Sequence, residues 1–282
     1  MSRILVVGSG QMGSGIAETA ARHDFDVWLW DSASEQAKKA LGNMRSRLDR
    51  QVQKGQIDPA TLEQILNKIV IPPSLQSVPS VDLVIEAIVE KEADKVTVFQ
   101  QLGELFDTAT VLASNTSSIS ISRLGRYVPH PERVIGMHFM NPVPVMRLVE
   151  VIAGTLTSHD TVERVLAWAK IMDKTAVTVQ DYPGFVSNRI LMPMINEAVF
   201  VLQEGVADKE AIDTVMKFGM NHPMGPLTLA DFIGLDTCLS IMEVLYEGFA
   251  DSKYRPAPLL RKMVDAGLLG RKSGRGFYDY TT

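Results

Sequence analysis

A single cysteine, Cys238, is all the thiol chemistry in a chain of 282 residues. One thiol excludes an internal disulfide and suits a reducing compartment. No second thiol or histidine stands at ligand spacing around it, so no metal site is expected. Long hydrophobic runs are also missing. The first apolar run, Ile4-Leu5-Val6-Val7, is far too short for a membrane span or a signal core. No basic, serine-rich leader precedes it, and proline, glycine or charge breaks the later runs. A cytoplasmic location without membrane association is therefore expected. Positive charge is not in excess: the formal net charge of −5 argues against nucleic acid as a partner. Internal repeats and low-complexity segments are absent too. What is present is an ordinary globular composition, 46% hydrophobic, long enough for two domains with sizeable cores.

Patterning divides the chain. Residues 4–7 form a continuous apolar run, as in a strand buried on both faces. A helix over 11–23 and a strand over 27–30 follow. The amphipathic segment 34–54 predicts a long helix with Ala37, Leu41, Met44 and Leu48 on one face. Asp58-Pro59 reads as an N-cap and first helical residue of a helix ending near 68. Strands are expected at 69–71, 83–85 and 111–113, with a helix over 91–106. This alternation predicts a mostly parallel, doubly wound α/β sheet. After Asp181-Tyr182-Pro183-Gly184 only helical periodicity appears, over 185–203, 209–218, 227–233, 237–249 and 258–266. Gly205 suits the end of the first of these helices, and Pro193 inside it is expected to kink it. That helix is apolar on most of its circumference, so burial is expected, a subunit interface being one place for it. The boundary is placed to give domains 1–183 and 184–282.

Gly8-Ser9-Gly10-Gln11-Met12-Gly13 is a GxGxxG turn directly after a strand and opening a helix. Such glycines permit a tight turn and let backbone amides approach a pyrophosphate at the helix N-terminus. The second strand ends at Asp31, where a carboxylate can bind both ribose hydroxyls of NAD and repel the extra phosphate of NADP. Ser32 follows it, with no arginine to accept that phosphate. The first domain is thus expected to be a Rossmann-type NAD-binding domain.

Other candidates keep two readings at this level. Glu90 and Lys95 stand just past a strand, near the ligand-binding edge of such sheets; Lys95 either reaches a ribose or nicotinamide-side group or pairs on a solvated helix face. Ser114-Asn115-Thr116-Ser117-Ser118 either binds a carbonyl and the nicotinamide ribose or forms a turn and helix cap. Arg47, Arg50 and Lys54 share one helix side, as a solvated face or as a site for a phosphorylated substrate handle. His138 ends the run Val134-Ile135-Gly136-Met137, and residues 145–152 read as a strand containing Glu150. If the turn near Asn141-Pro142-Val143-Pro144 folds the two segments together, imidazole and carboxylate face each other. Histidine titrates near neutrality and a carboxylate at its second nitrogen fixes its tautomer, which suits a proton-transferring dehydrogenase; the alternative is a structural pair.

The motifs GSGQMG with Asp31, SNTSS, MHFMNP with Glu150, PGFVSNRI from Pro183 and GRKSGRGFYDY from Gly270 occur in order across the whole chain. Together they resemble the L-3-hydroxyacyl-CoA dehydrogenase family, and in length and single function most resemble its bacterial 3-hydroxybutyryl-CoA members. The resemblance implies an NAD-dependent oxidoreductase that interconverts 3-hydroxyacyl-CoA and 3-oxoacyl-CoA, with His138 as acid/base and Glu150 as its partner. It implies that Ser117 and Asn188 hold the substrate oxygen. It further implies that Glu90, Lys95, Ser117, Asn141 and Lys272 contact the dinucleotide, and that Arg50 and Lys54 contact CoA. The helical domain is expected to form a homodimer, with the acyl-CoA substrate between the two domains. The competing readings are a related dehydrogenase of a free hydroxy acid or sugar acid, and a non-catalytic NAD-binding protein.

Overall fold

The computed structural model describes residues 2–281. The chain divides into two compact units, the first ending at Asp181 and the second beginning at Tyr182. In the first unit the order is β1 (Arg3–Val7), α1 (Gln11–Arg22), β2 (Asp26–Trp30), α2 (Ser34–Gln53), α3 (Pro59–Asn67), β3 (Ile69–Val70), β4 (Leu83–Glu86), α4 (Glu92–Leu105), β5 (Val111–Ser114), α5 (Ile121–Gly125), β6 (Val134–Phe139), β7 (Leu148–Ala153), α6 (His159–Ile171) and β8 (Thr175–Gln180). The strands form one sheet in the order β3-β2-β1-β4-β5-β6-β7-β8. The first six of these are parallel; β7 runs antiparallel to β6, and β8 is parallel to β7. The order reverses beside β1, so a crevice opens where β1 and β4 end, the place at which such sheets take ligands. Residues 4–7 and 83–85 are fully buried, which explains their unbroken apolar runs.

Local signals act as their chemistry predicts. The Asp58 carboxylate accepts from the Thr61 amide, and Pro59 opens α3. Ala37, Ala40, Met44 and Leu48 form the buried side of α2, with Leu41 only partly covered. Two expectations need correction. The strand expected from Val145 begins at Leu148, because the Val145 and Met146 amides both bond to the Pro142 carbonyl and close a turn. The sheet also gains an element pair not apparent from periodicity, α6 and β8. Ser158 caps α6 by accepting from the Thr161 amide, and β8 is an edge strand with Val177 exposed.

The second unit contains α7 (Ser187–Gln203), α8 (Lys209–Thr214), α9 (Pro226–Ile233), α10 (Leu235–Phe249) and α11 (Pro258–Asp265). Met192, Ile195, Val199, Leu227, Leu239 and Met242 belong to its core. The helix α7 runs on through Pro193, and Gly205 closes its end in the left-handed region at φ +71°. It is not buried all round: Ile190 is 67% exposed. The helix expected over 209–218 changes at Val215 into a π-helical turn reaching Gly219. The chain after α11 has one short helical turn, Arg271–Ser273, and is also held by a buried side chain. The Asp231 carboxylate accepts from the Phe277 and Tyr278 amides and the Tyr280 hydroxyl. Cys238 is buried in the core of this unit; burial first, then the nearby Asp236 and Asp231 carboxylates, push its thiol up to about 12. Among the described residues no helix is long and apolar enough to cross a membrane.

Candidate active site

The three glycines after β1 do three different things. Gly8 lies at φ +99°, and a Cβ there would stand 2.6 Å from the Ala87 carbonyl oxygen, so the ends of β1 and β4 approach only through glycine. A Cβ on Gly13 would overlap the Gly8 carbonyl oxygen at 1.8 Å, so α1 can pack on the turn only without one. Around Gly10 nothing lies within 4 Å of that position, leaving the turn open to a ligand. No side chain caps α1, so its first amides and the positive end of its dipole face this opening. Gln11 and Met12 complete the turn, and Gln11 Nε2 donates to Asn141 Oδ1 at 3.0 Å, which brings the proline turn after β6 beside it.

At the end of β2, Asp31 Oδ2 accepts from the Ser9 amide at 2.8 Å and the Ser9 hydroxyl at 2.7 Å. Oδ1 accepts from the Ala33 amide at 3.0 Å. Ser9 was not singled out by the motif, yet it fixes the acid against the glycine turn. Asp31 and Gly10 line a cavity of about 720 Å3, closed on the other side by Ile88, Val89 and Val98. An open glycine, an uncapped helix start and an anchored acid beside an apolar wall fit the phosphates, ribose and base of NAD.

Antiparallel pairing of β6 with β7 sets His138 directly opposite Glu150. The distance from Nδ1 to Glu150 Oε2 is 2.8 Å, and both residues are buried. An ionised carboxylate only accepts, so Nδ1 carries the proton, and in the neutral imidazole Nε2 presents a lone pair. Ser117 Oγ lies 3.0 Å from Nε2 and is the donor in that tautomer. Asn115 Oδ1 accepts from the Phe139 amide at 2.9 Å, which ties the serine loop to the end of β6.

Glu90 clamps the same loop. Its Oε1 accepts from Thr116 Oγ1 at 2.5 Å, the Ser117 amide at 2.8 Å and the Ser118 amide at 3.0 Å. Burial raises the Glu90 carboxyl, but the Lys95 ammonium, the Thr116 hydroxyl and the Ser117 and Ser118 groups outweigh it and hold it below the ordinary glutamate value. Lys95 does not lie on a solvated helix face. It is 1% exposed, with Nζ 2.6 Å from Glu86 and 3.3 Å from Glu90. Arg47 donates to the buried Glu18 at 2.9 Å, whereas Arg50 and Lys54 at the end of α2 are exposed. In the second unit, Asn188 is buried in the first turn of α7, and the half-exposed Lys272 pairs with Asp236.

Serine, histidine and carboxylate in this order also match the relay of a hydrolase. A hydrolase needs free donors for the oxyanion, and here the amides of Ser117 and Ser118 are both spent on Glu90. Fold and site together therefore define a dinucleotide-dependent dehydrogenase with a histidine–carboxylate proton-transfer pair. Residues 3–182 match the 3-hydroxyacyl-CoA dehydrogenase NAD binding domain, and residues 184–280 match the C-terminal domain of the same enzymes. The chain belongs to the 3-hydroxyacyl-CoA dehydrogenase family and uses NAD. It is 57% identical to the probable 3-hydroxybutyryl-CoA dehydrogenase of Bacillus subtilis, over 99% of this chain and 98% of that one. It is 51% identical to the 3-hydroxybutyryl-CoA dehydrogenase of Bradyrhizobium diazoefficiens, over 99% and 96%. The crystal structure of the (S)-3-hydroxybutyryl-CoA dehydrogenase of Ralstonia eutropha superposes with a TM-score of 0.97 at 48% identity, covering 100% of both chains.

Proposed function

We propose that this dehydrogenase interconverts (S)-3-hydroxybutyryl-CoA and acetoacetyl-CoA. The four-carbon substrate is the one named for both relatives and for the Ralstonia structure. The observation that carries the mechanism is the continuous line from Ser117 through His138 to Glu150, at 3.0 and 2.8 Å. The nicotinamide, when bound, supplies the acceptor or donor of hydride. In oxidation, His138 Nε2 takes the proton of the 3-hydroxyl. The imidazolium so formed lies against the buried Glu150 carboxylate, where low dielectric strengthens the attraction. Ser117 Oγ donates to the same oxygen as it becomes a carbonyl. In reduction, Nε2 returns the proton. Asn115 as a dinucleotide contact is proposed from its place in the serine loop; Asn188 as a second donor to that oxygen, and Asn141 and Lys272 as dinucleotide contacts, are proposed from the family resemblance. So are Arg50 and Lys54 as contacts of the CoA phosphates; their exposed cationic heads suit that role.

The test is oxidation of NADH with acetoacetyl-CoA, followed by its loss at 340 nm. His138→Ala is expected to lower kcat by about 10²- to 10⁴-fold while the fold is kept. A folded His138→Ala enzyme with wild-type turnover sinks the mechanism. Absence of turnover by the wild-type chain at every pH sinks the substrate assignment. We further propose a homodimer built by the helical unit and a cytoplasmic location.

A further inference from the structure

We infer that Glu86 is a positioning residue for proton transfer, acting through Lys95 and Glu90 to set Ser117 against His138; this rests on the roles proposed above for those two residues. Glu86 is the last residue of β4 and is fully buried. Its Oε1 accepts from Lys95 Nζ at 2.6 Å and from the Ile88 amide at 2.7 Å. Its Oε2 accepts from Ser114 Oγ at 2.6 Å. Every contact is charge-assisted, and a carboxylate and an ammonium are tolerated at this depth only because they meet.

This carboxylate holds the start of the serine loop directly, through Ser114, and the rest of it indirectly, through Lys95 and Glu90. Ser114 is the last residue of β5, and its hydroxyl also accepts from the Thr116 amide at 3.2 Å. Lys95 is shared: one contact goes to Glu86, the other to Glu90 Oε2 at 3.3 Å. That leaves Glu90 Oε1 to take the donors from Thr116, Ser117 and Ser118. With Glu86 neutral, Ser114 loses its charged acceptor and Lys95 is no longer fixed between two carboxylates, so Glu90 is no longer held in place against the loop. The Ser117 hydroxyl then loses the register that puts it 3.0 Å from His138 Nε2. Misplacement of a reacting group by about 1 Å can cost roughly a hundredfold in rate.

The experiment compares Glu86→Gln, Ser117→Ala and the double variant for kcat of acetoacetyl-CoA reduction, with both substrates saturating. Each single variant is expected to lose roughly ten- to a hundredfold, and the double variant to stay within about threefold of Ser117→Ala alone. Losses that multiply in the double variant overturn the inference, since a purely structural role acts independently of Ser117. Glu86→Gln with wild-type kcat overturns it as well. Wild-type kcat in Ser117→Ala instead removes the role proposed for Ser117, and the inference with it. Because Glu86→Gln leaves a buried ammonium with one carboxylate in place of two, a second variant combining Glu86→Gln with Lys95→Met removes that charge as well. It is expected to fold and show the same loss of kcat. If it folds with wild-type kcat, or if neither variant folds, the inference falls.

Discussion

Glu90 carries two tasks in one side chain. Its carboxylate orders the loop that presents Ser117, and its bonds to the loop amides remove the donors a hydrolase would need. Its lowered value in the folded protein has a definite consequence for stability. A carboxyl bound more tightly in its charged form stabilises the fold in full above the ordinary glutamate value, about 4.3, and loses that contribution as pH falls through the lower folded value. Urea unfolding of wild type and Glu90→Gln should therefore differ by a constant amount above about pH 6. The difference should shrink below about pH 4. A gap that widens on acidification contradicts this. At the same scale, the motif residues Gly8, Gly10, Gly13 and Asp31 could be found from sequence because each meets a backbone or ligand requirement that few residues satisfy. Glu86 could not, and neither could the bonds made by Ser9 and Ser114, although both stand inside motifs. Their partners lie 22 residues away for Ser9 and 28 for the Glu86–Ser114 pair, and no local pattern marks such distances.

At the scale of elements, α4 depends on a residue outside it. The buried Arg133 guanidinium donates to the carbonyls of Gly103 at 2.9 Å and Phe106 at 3.0 Å, and to that of Asp107. Gly103 lies in the last turn of α4 and Phe106 caps it, where a helix end leaves acceptors without partners. Arg133→Met should lower the unfolding free energy by about 2–4 kcal/mol, because buried carbonyls lose charged donors. Calorimetry or urea titration checks it, and a change under about 0.5 kcal/mol, the range of ordinary surface substitutions, would falsify the assignment. The elements themselves were legible where burial is one-sided or complete. The strands β1, β4 and β5 announce themselves as apolar runs, and α2 as a stripe through Ala37, Met44 and Leu48. The strand β8 was not, since four of its six residues are neither fully buried nor part of a strict alternation with solvent: Thr175, Val177, Thr178 and Gln180 are exposed. Val145 and Met146 carry strand-like apolar character into a turn because the preceding prolines set the backbone there.

At the scale of the molecule, both units leave large apolar side chains uncovered, Val145 at 72% and Val89 at 64% in the first among them. The helical unit exposes Phe218 at 80%, Val206 at 71% and Ile190 at 67%. For the proposed homodimer, sedimentation should give twice the chain mass of 31.1 kDa, and the melting temperature should rise with protein concentration. Sedimentation as a single chain at micromolar concentration removes that proposal. The helical unit also contains its own reporter. Cys238 is the chain's sole thiol, and burial keeps it protonated in the native state. A maleimide or disulfide reagent can therefore reach it as thiolate only after the core around Met242 and Leu245 opens. The native chain consequently contains a built-in clock: the rate at which one sulfur is labelled counts the openings of one of its two units, with no engineered probe.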